Sequence, residues 1–289
     1  MAGTAVTVAL GMARPVRAAD SRLTVIRHIR PESDRDPRNR YFLDLLTLAL
    51  NHTVRRDGPF RLEPVAVPIP QSRAIAELAA GKQLDVVWTM ATRERESVLL
   101  PVRIPLLKGL MGYRIFIVRA GDEPRFAGIH DIAGLGRLVA VQGHDWPDAD
   151  ILAANGLPVV RSESYEGLFG MLALGRADYF PRALNEPWSE LAALRHQGLA
   201  VEPRLLLRYT ADNYFFVNPH NTALAERIER GLRAAMADGS FERLFRRHPA
   251  NATAFARANL PARRIIDLHN PLLSPQTPLH DKSLWFHLD

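Results

Sequence analysis

The apolar positions of this chain follow two periods. From Asn39 to Gly58 they recur at helical spacing, with Phe42, Leu45, Leu46 and Ala49 on one face; a second helix from about Ser72 gathers Ile75, Leu78 and Ala79 before Gly81 stops it. Around these helices stand short runs with strand character: Leu23 to Ile26, Leu62 to Val67, and Leu84 to Trp88. The last reads as a strand buried on both faces, as in a parallel sheet. Strand, helix, strand, helix, strand is the order of an α/β unit.

The second half repeats that order. Leu138 to Val141 reads as a strand, Pro147 to Asn155 as a helix with proline in its first turn and Gly156 behind it, and Val159-Val160 as a strand. A further helix carries Leu168, Phe169 and Leu172, ends at Gly175 and leads to the strand-like Tyr179-Phe180. ELAAGKQLDVVW (Glu77 to Trp88) and MLALGRADYF (Met171 to Phe180) thus share a helix, a glycine cap, a basic residue, an aspartate and a strand. Tyr113 to Val118 and Tyr214 to Val217 match in composition and are expected to mark crossings between two lobes. From Asn221 to Arg247 a returning helix puts Leu224, Ile228, Leu232 and Ala235 on one face, Gly239 breaks it, and Phe241 to Phe245 form a last turn. The proline-rich NPLLSPQTPL is expected to be extended and laid on a lobe.

The expected fold is α/β with two lobes, each a mostly parallel sheet flanked by helices. The expected boundaries are a signal peptide over 1–18, lobe 1 over 22–112, lobe 2 over 113–211, a return to lobe 1 over 212–262, and an extended tail over 263–289. A chain of 289 residues with 47% hydrophobic content can fill two lobes of about 100 residues each. No run of about 18 apolar residues occurs in its body, so a membrane anchor there is not expected. Ala2 to Ala13 is apolar and Val16-Arg17-Ala18 fits a signal-peptidase site, although no positive segment precedes Ala2. Export to the periplasm is therefore expected, with Ala19 or Asp20 as the first mature residue. The chain has no cysteine, which excludes disulfides, thiolate metal sites and cysteine nucleophiles. Its net charge of +6 comes from scattered arginines interleaved with acids, a pattern of solvated surface and not of a nucleic-acid footprint.

Chemistry concentrates at the end of the buried strand. In LDVVWTMATRERES the apolar run stops at Thr89, Thr92, Arg93, Glu94 and Arg95, so either the chain has reached solvent or an anion is held there. The chain has no HExxH, GxSxG, P-loop or GxGxxG, which removes the usual hydrolase and nucleotide signatures. No cofactor or metal site is indicated.

The order of motifs resembles the family 3 extracytoplasmic solute-binding proteins, the amino-acid-binding group of ABC importers. ELAAGKQLDVVWTMATRERE matches the family's helix-Gly-Lys-x-Asp-strand and its Thr-x-x-Arg. VAVQGHD matches its strand ending in Gly-Thr, LALGRADYF its second helix-Gly-strand, and NTALAERIERGLRAAMADGSFERLFRRH its closing helix pair. The resemblance spans roughly Leu23 to His248 and implies a type II periplasmic-binding-protein fold with two crossing strands as a hinge and a ligand between the lobes. On that resemblance Arg95 is the arginine that clamps a ligand carboxylate, Thr92 the family's threonine, and Thr89 and Met90 offer backbone groups beside them. Gly143 and His144 stand where the family presents a glycine and a hydroxyl; the hydroxyl is missing here, and Trp146 beside them is either core or a stacking surface. Ala183 stands near the expected ammonium-binding aspartate, with Glu186 as a substitute one turn on and Arg182 facing Arg95 from the other lobe.

These features imply a monomeric solute-binding protein that takes an amino-acid-like or carboxylate-rich solute and hands it to an ABC permease. Two other readings stand beside it. One is an enzyme on the same scaffold, with an acid-base pair drawn from His28, Glu32, His144 and Glu186. The other is a soluble sensor that docks to a separate receptor.

Overall fold

The structure, a computed structural model, describes residues 23–31, 33, 35–194 and 198–286. The expected signal peptide and Glu32 lie outside the described residues. The first lobe starts with β1 (Thr24–His28), α1 (Asn39–Asn51), α2 (Val54–Asp57), β2 (Phe60–Pro64), α3 (Gln71–Ala79), β3 (Val86–Met90), α4 (Arg93–Val98) and β4 (Leu100–Val102). The second holds β5 (Tyr113–Arg119), α5 (Ile132–Leu135), β6 (Ala140–Gly143), α6 (Pro147–Ala154), β7 (Val159–Ser162), α7 (Tyr165–Ala173), β8 (Phe180–Ala183), α8 (Pro187–Leu194), β9 (Leu199–Val201) and β10 (Leu205–Arg208). The chain then returns through β11 (Asn213–Val217), α9 (Thr222–Ala237), α10 (Ser240–Arg247) and α11 (Pro249–Arg257), and β12 (Arg264–Asp267) closes the order.

Lobe 1 is built on the sheet β2-β1-β3-β11-β4, parallel except for β11, which runs against β3 and β4. Lobe 2 has the sheet β12-β10-β5-β8, with β9 also on β5, and a parallel pair β6-β7 joined to it by a bridge between Ala140 and Tyr179. All five residues of β3 are buried, as its unbroken apolar run predicts for a central strand. The repeated glycine-aspartate motif has one structural role in both halves. Gly81 and Gly175 cap their helices at φ 65° and 71°. Asp85 then accepts the Arg27 amide of β1 at 2.8 Å, and Asp178 accepts the Val139 amide ahead of β6 at 2.9 Å. Each aspartate locks its strand to the parallel neighbour.

The crossings lie next to the strands that the sequence marks for them. β5 belongs wholly to the sheet of lobe 2 and β11 to that of lobe 1, so the chain passes between lobes in residues 103–112 and 209–212. A β-carbon on Gly112 would stand 1.8 Å from the carbonyl oxygen of Tyr209, so only glycine allows the two crossings to touch. Asp212 ties them together by accepting amides from Leu107 at 3.0 Å, Asn213 at 2.6 Å and Gly109. Burial pushes its carboxyl up to about 7, against the pull of those amides.

The tail differs most from expectation. It does not lie on one lobe: β12 adds a parallel edge strand to β10 in lobe 2, and the following residues return to lobe 1. There Leu272 accepts the Arg93 amide at 3.0 Å, Ser274 donates to Glu96 at 2.9 Å, and Leu284 is buried in the core. That core is one apolar cluster that runs through lobe 1 and reaches Ile115, Leu184 and Leu206 of lobe 2.

Candidate functional site between the lobes

A cavity of about 100 Å³ lies between the lobes, beyond the carboxyl end of β3. Asn39, Gln71 and Pro147, the first residues of α1, α3 and α6, line it together with Glu186 just ahead of α8. Converging helix N-termini supply partial positive charge and free amides to such a space. Charged side chains of both signs add to it: Asp36 and Arg38 from lobe 1, and Arg114, Asp148, Arg182 and Glu186 from lobe 2.

The strand-end arginine is buried. Thr92 caps α4 by accepting the Arg95 amide at 3.2 Å, which turns the guanidinium back towards β3. Its Nη1 donates to Thr89 Oγ1 at 2.5 Å and Met90 O at 3.1 Å; its Nη2 donates to Gln71 Oε1 at 2.5 Å and, across the cleft, to Asp145 O at 3.2 Å. Burial, partly offset by Asp145 and Asp148, lowers its pKa to about 10. Thr89, Met90, Thr92 and Arg95 therefore come together as one cluster. Thr89 and Met90 face the cavity, and Arg95 stands behind them at the edge of an adjoining groove. Arg93 is exposed and donates to Pro271 O of the tail at 2.5 Å.

Arg182 and Glu186 also meet, in lobe 2. Arg182 pairs with Glu190 at 2.6 Å and Glu186 at 3.0 Å, so its fork faces carboxylates of its own lobe. Glu186 accepts the Ala183 amide at 2.8 Å, and burial, partly offset by Arg182, raises its pKa. Gly143 serves packing: a β-carbon there would stand 2.4 Å from the Trp146 ring, and Trp146 stacks on Phe180 at 6.4 Å. His144 is exposed, and its amide is spent on Ser162 O at 3.0 Å. His28 is buried against Trp88, with Nδ1 on Ile29 O at 2.7 Å. Neither histidine lines the cavity that holds Glu186.

Sequence reasoning passed over two charged groups that line the cavity. Arg114 on β5 is fully buried and ion-paired with Asp148 at 2.5 Å, and Asp148 also accepts the Tyr209 hydroxyl. Arg114 Nη1 also lies 3.8 Å from Glu186, while its Nε and Asn213 Oδ1 of β11 have no hydrogen-bond partner among the described residues. A signal for Arg114 existed: one charge inside the apolar strand Tyr113 to Val118 is rarely buried without purpose. The pair Asp36 and Arg38, bonded at 2.7 Å ahead of α1, was equally unmarked. Among the described residues no group of three or more His, Asp or Glu stands close enough to hold a metal ion.

This architecture defines a class, the two-lobed type II periplasmic-binding-protein fold. An amino-acid ABC transporter substrate-binding protein from Streptococcus pneumoniae bound to L-arginine shares it with a TM-score of 0.58 at 16% identity, over 80% of this chain and 94% of that one. A binding component of an ABC transporter from Wolinella succinogenes complexed with lysine gives 0.58 at 15% identity, over 78% and 94%. An ancestral amino-acid-binding protein, a precursor of cyclohexadienyl dehydratase, gives 0.56 at 16% identity, over 76% and 93%. At such identities the likeness is one of fold. No protein-family model and no curated protein matches the chain.

Proposed function

We propose that the chain is a solute-binding protein that closes its lobes on a small amino-acid-like or carboxylate-bearing solute. Following the resemblance, we further propose that it is exported to the periplasm and that an ABC permease takes up the solute. The observation that carries the binding reading is a pair of buried polar atoms without a partner, Arg114 Nε and Asn213 Oδ1, on residues that opposite lobes contribute to one cavity. A buried donor or acceptor without a partner costs about 1–3 kcal/mol, and a solute that supplies the missing partner recovers it. The structural relatives bound to arginine and to lysine lend support by likeness. The mixed charges of the cleft suit a zwitterion. The cluster of Arg95, Thr89, Met90 and Gln71 would receive the carboxylate side, and Glu186 with Asp148 the ammonium side.

A thermal-shift screen of amino acids, dicarboxylates and short peptides, followed by calorimetry, tests this reading. A true ligand raises Tm by mass action. Arg114→Gln and Arg95→Ala each remove charge-assisted hydrogen bonds of about 1.5–3 kcal/mol, so each should weaken it about tenfold to a hundredfold. No stabilising solute, or a ligand indifferent to both substitutions, would refute the assigned site.

A further inference from the structure

The cleft already contains a guanidinium, and it belongs to the protein. Arg38 comes from lobe 1, on the loop ahead of α1, yet its guanidinium lies 4.1 Å from the Tyr165 ring centre and 5.1 Å from that of Trp146, both in lobe 2. Asp36 holds the same group with both oxygens, Nε to Oδ1 at 2.7 Å and Nη2 to Oδ2 at 2.7 Å. A planar cation gripped in plane by a carboxylate and faced by aromatic rings has what a guanidinium site requires. Arg38 lines the interlobe cavity and is largely withdrawn from water, its side chain 17% exposed.

We propose that Asp36, Tyr165 and Trp146 form a guanidinium subsite filled by the protein's own Arg38, and that Arg38 is a specificity-determining residue excluding solutes with a cationic side chain. The proposal rests on the solute-binding reading for its biological meaning. A solute carrying its own guanidinium or ammonium side chain would have to displace Arg38 or share the space with it. It would also approach Arg182, whose guanidinium faces the same Trp146 ring at 4.9 Å and repels a further positive charge. Glu190 is already engaged by Arg182, and Glu186, which also faces Arg182, is the group assigned to the solute's own ammonium, so no carboxylate is left there for a second cation. The solute admitted beside Arg38 therefore has a neutral or acidic side chain. Because the subsite draws its carboxylate from one lobe and its rings from the other, Arg38 also latches the cleft.

Vacating the subsite tests this without knowledge of the natural solute. Full-length wild type, Arg38→Ala and Arg38→Gln are titrated with methylguanidinium and with L-arginine, by calorimetry and by tryptophan fluorescence, with circular dichroism as the check on folding. Wild type should show no saturable uptake. Either substitution should bind methylguanidinium at least tenfold more tightly than wild type, and adding Asp36→Asn should abolish the gain. Arg38→Gln keeps side-chain length without charge, so the test survives if the alanine variant does not fold. Equal affinity of wild type and both folded variants for methylguanidinium, or a gain that persists with Asp36→Asn, would overturn the proposal. The solute screen can fail while this titration succeeds, so the two readings are separately refutable.

Discussion

The lobes meet in two regions of opposite character. On one side the contact is apolar: Ile115, Leu184 and Leu206 of lobe 2 join the lobe 1 core, Arg257 of α11 stacks over Trp188 of lobe 2 at 5.8 Å, and the tail straps across both lobes. At the mouth the contact is polar. Asp145 takes the Ser72 amide at 2.8 Å and an Arg95 donor at 3.2 Å, and Arg38 lies on Tyr165. Apolar burial at about 25 cal/mol per Å² is insensitive to small polar competitors, whereas a solvent-edge hydrogen bond contributes about 0.5–1.5 kcal/mol net and water can replace it. One side is thus held by contacts that persist and the other by contacts that water can replace, which is the mechanical requirement of the capture by closure we propose.

Substitutions should separate the two regions, beginning with the crossings. Gly112→Val forces a side chain onto Tyr209 O and should lower unfolding free energy by about 3 kcal/mol or more in urea titration, or prevent folding. Leu284→Ala empties a buried position under the tail and should cost about 2–4 kcal/mol in the same assay. An undiminished stability would mean that the strap is not part of the apolar seam.

Asp212 adds a pH signature to the crossings. Its carboxyl is raised in the folded state from an ordinary value near 3.8 to about 7, so between these values the folded chain holds a proton that the unfolded chain has lost. Its contribution to stability is thus fully present below about pH 4, falls as pH rises towards 7, and is flat above. Asp212→Asn should remove that fall, measured as unfolding free energy against pH; an unchanged slope would assign it to other groups. Asp145→Ala at the mouth should have the smallest effect, below about 1 kcal/mol, because the bond it removes is at the solvent edge.

The sequence made the repeated units legible because each rests on local periodicity. The β3 run, the amphipathic faces of α1 and α9 and the two glycine-aspartate motifs need no knowledge of distant partners. The strand-end arginine was legible because the apolar run stops just before it and its Thr-x-x-Arg spacing matches the resembled family, while the capping of α4 by Thr92 came only with the structure. Asn213 and Arg38 were not, since each acquires its meaning only when the other lobe arrives; Arg114 left a signal, a charge inside an apolar strand, but its partner Asp148 is remote in sequence. β12 was hidden likewise. Its four residues, Arg264–Asp267, carry little strand signal, and pairing with β10 supplies what the local sequence does not. Arg182 shows the converse limit: in sequence it follows the apolar Tyr179-Phe180 as Arg95 follows its strand, yet it lies within β8 and its partners are Glu186 and Glu190, four and eight residues on.

The chain has no cysteine, so spin labels can be placed without background. One labelled pair at the mouth, on exposed Arg73 and Glu166, and one across α8 and α11, on exposed Ala192 and Ala256, report the two regions directly. We predict that pulsed electron-electron resonance finds a broad mouth distance without solute that shortens and narrows at saturation, while the α8–α11 distance stays fixed. A mouth distance unchanged by a saturating solute, or a shift of the α8–α11 pair as large as that of the mouth, would contradict capture by closure between these lobes.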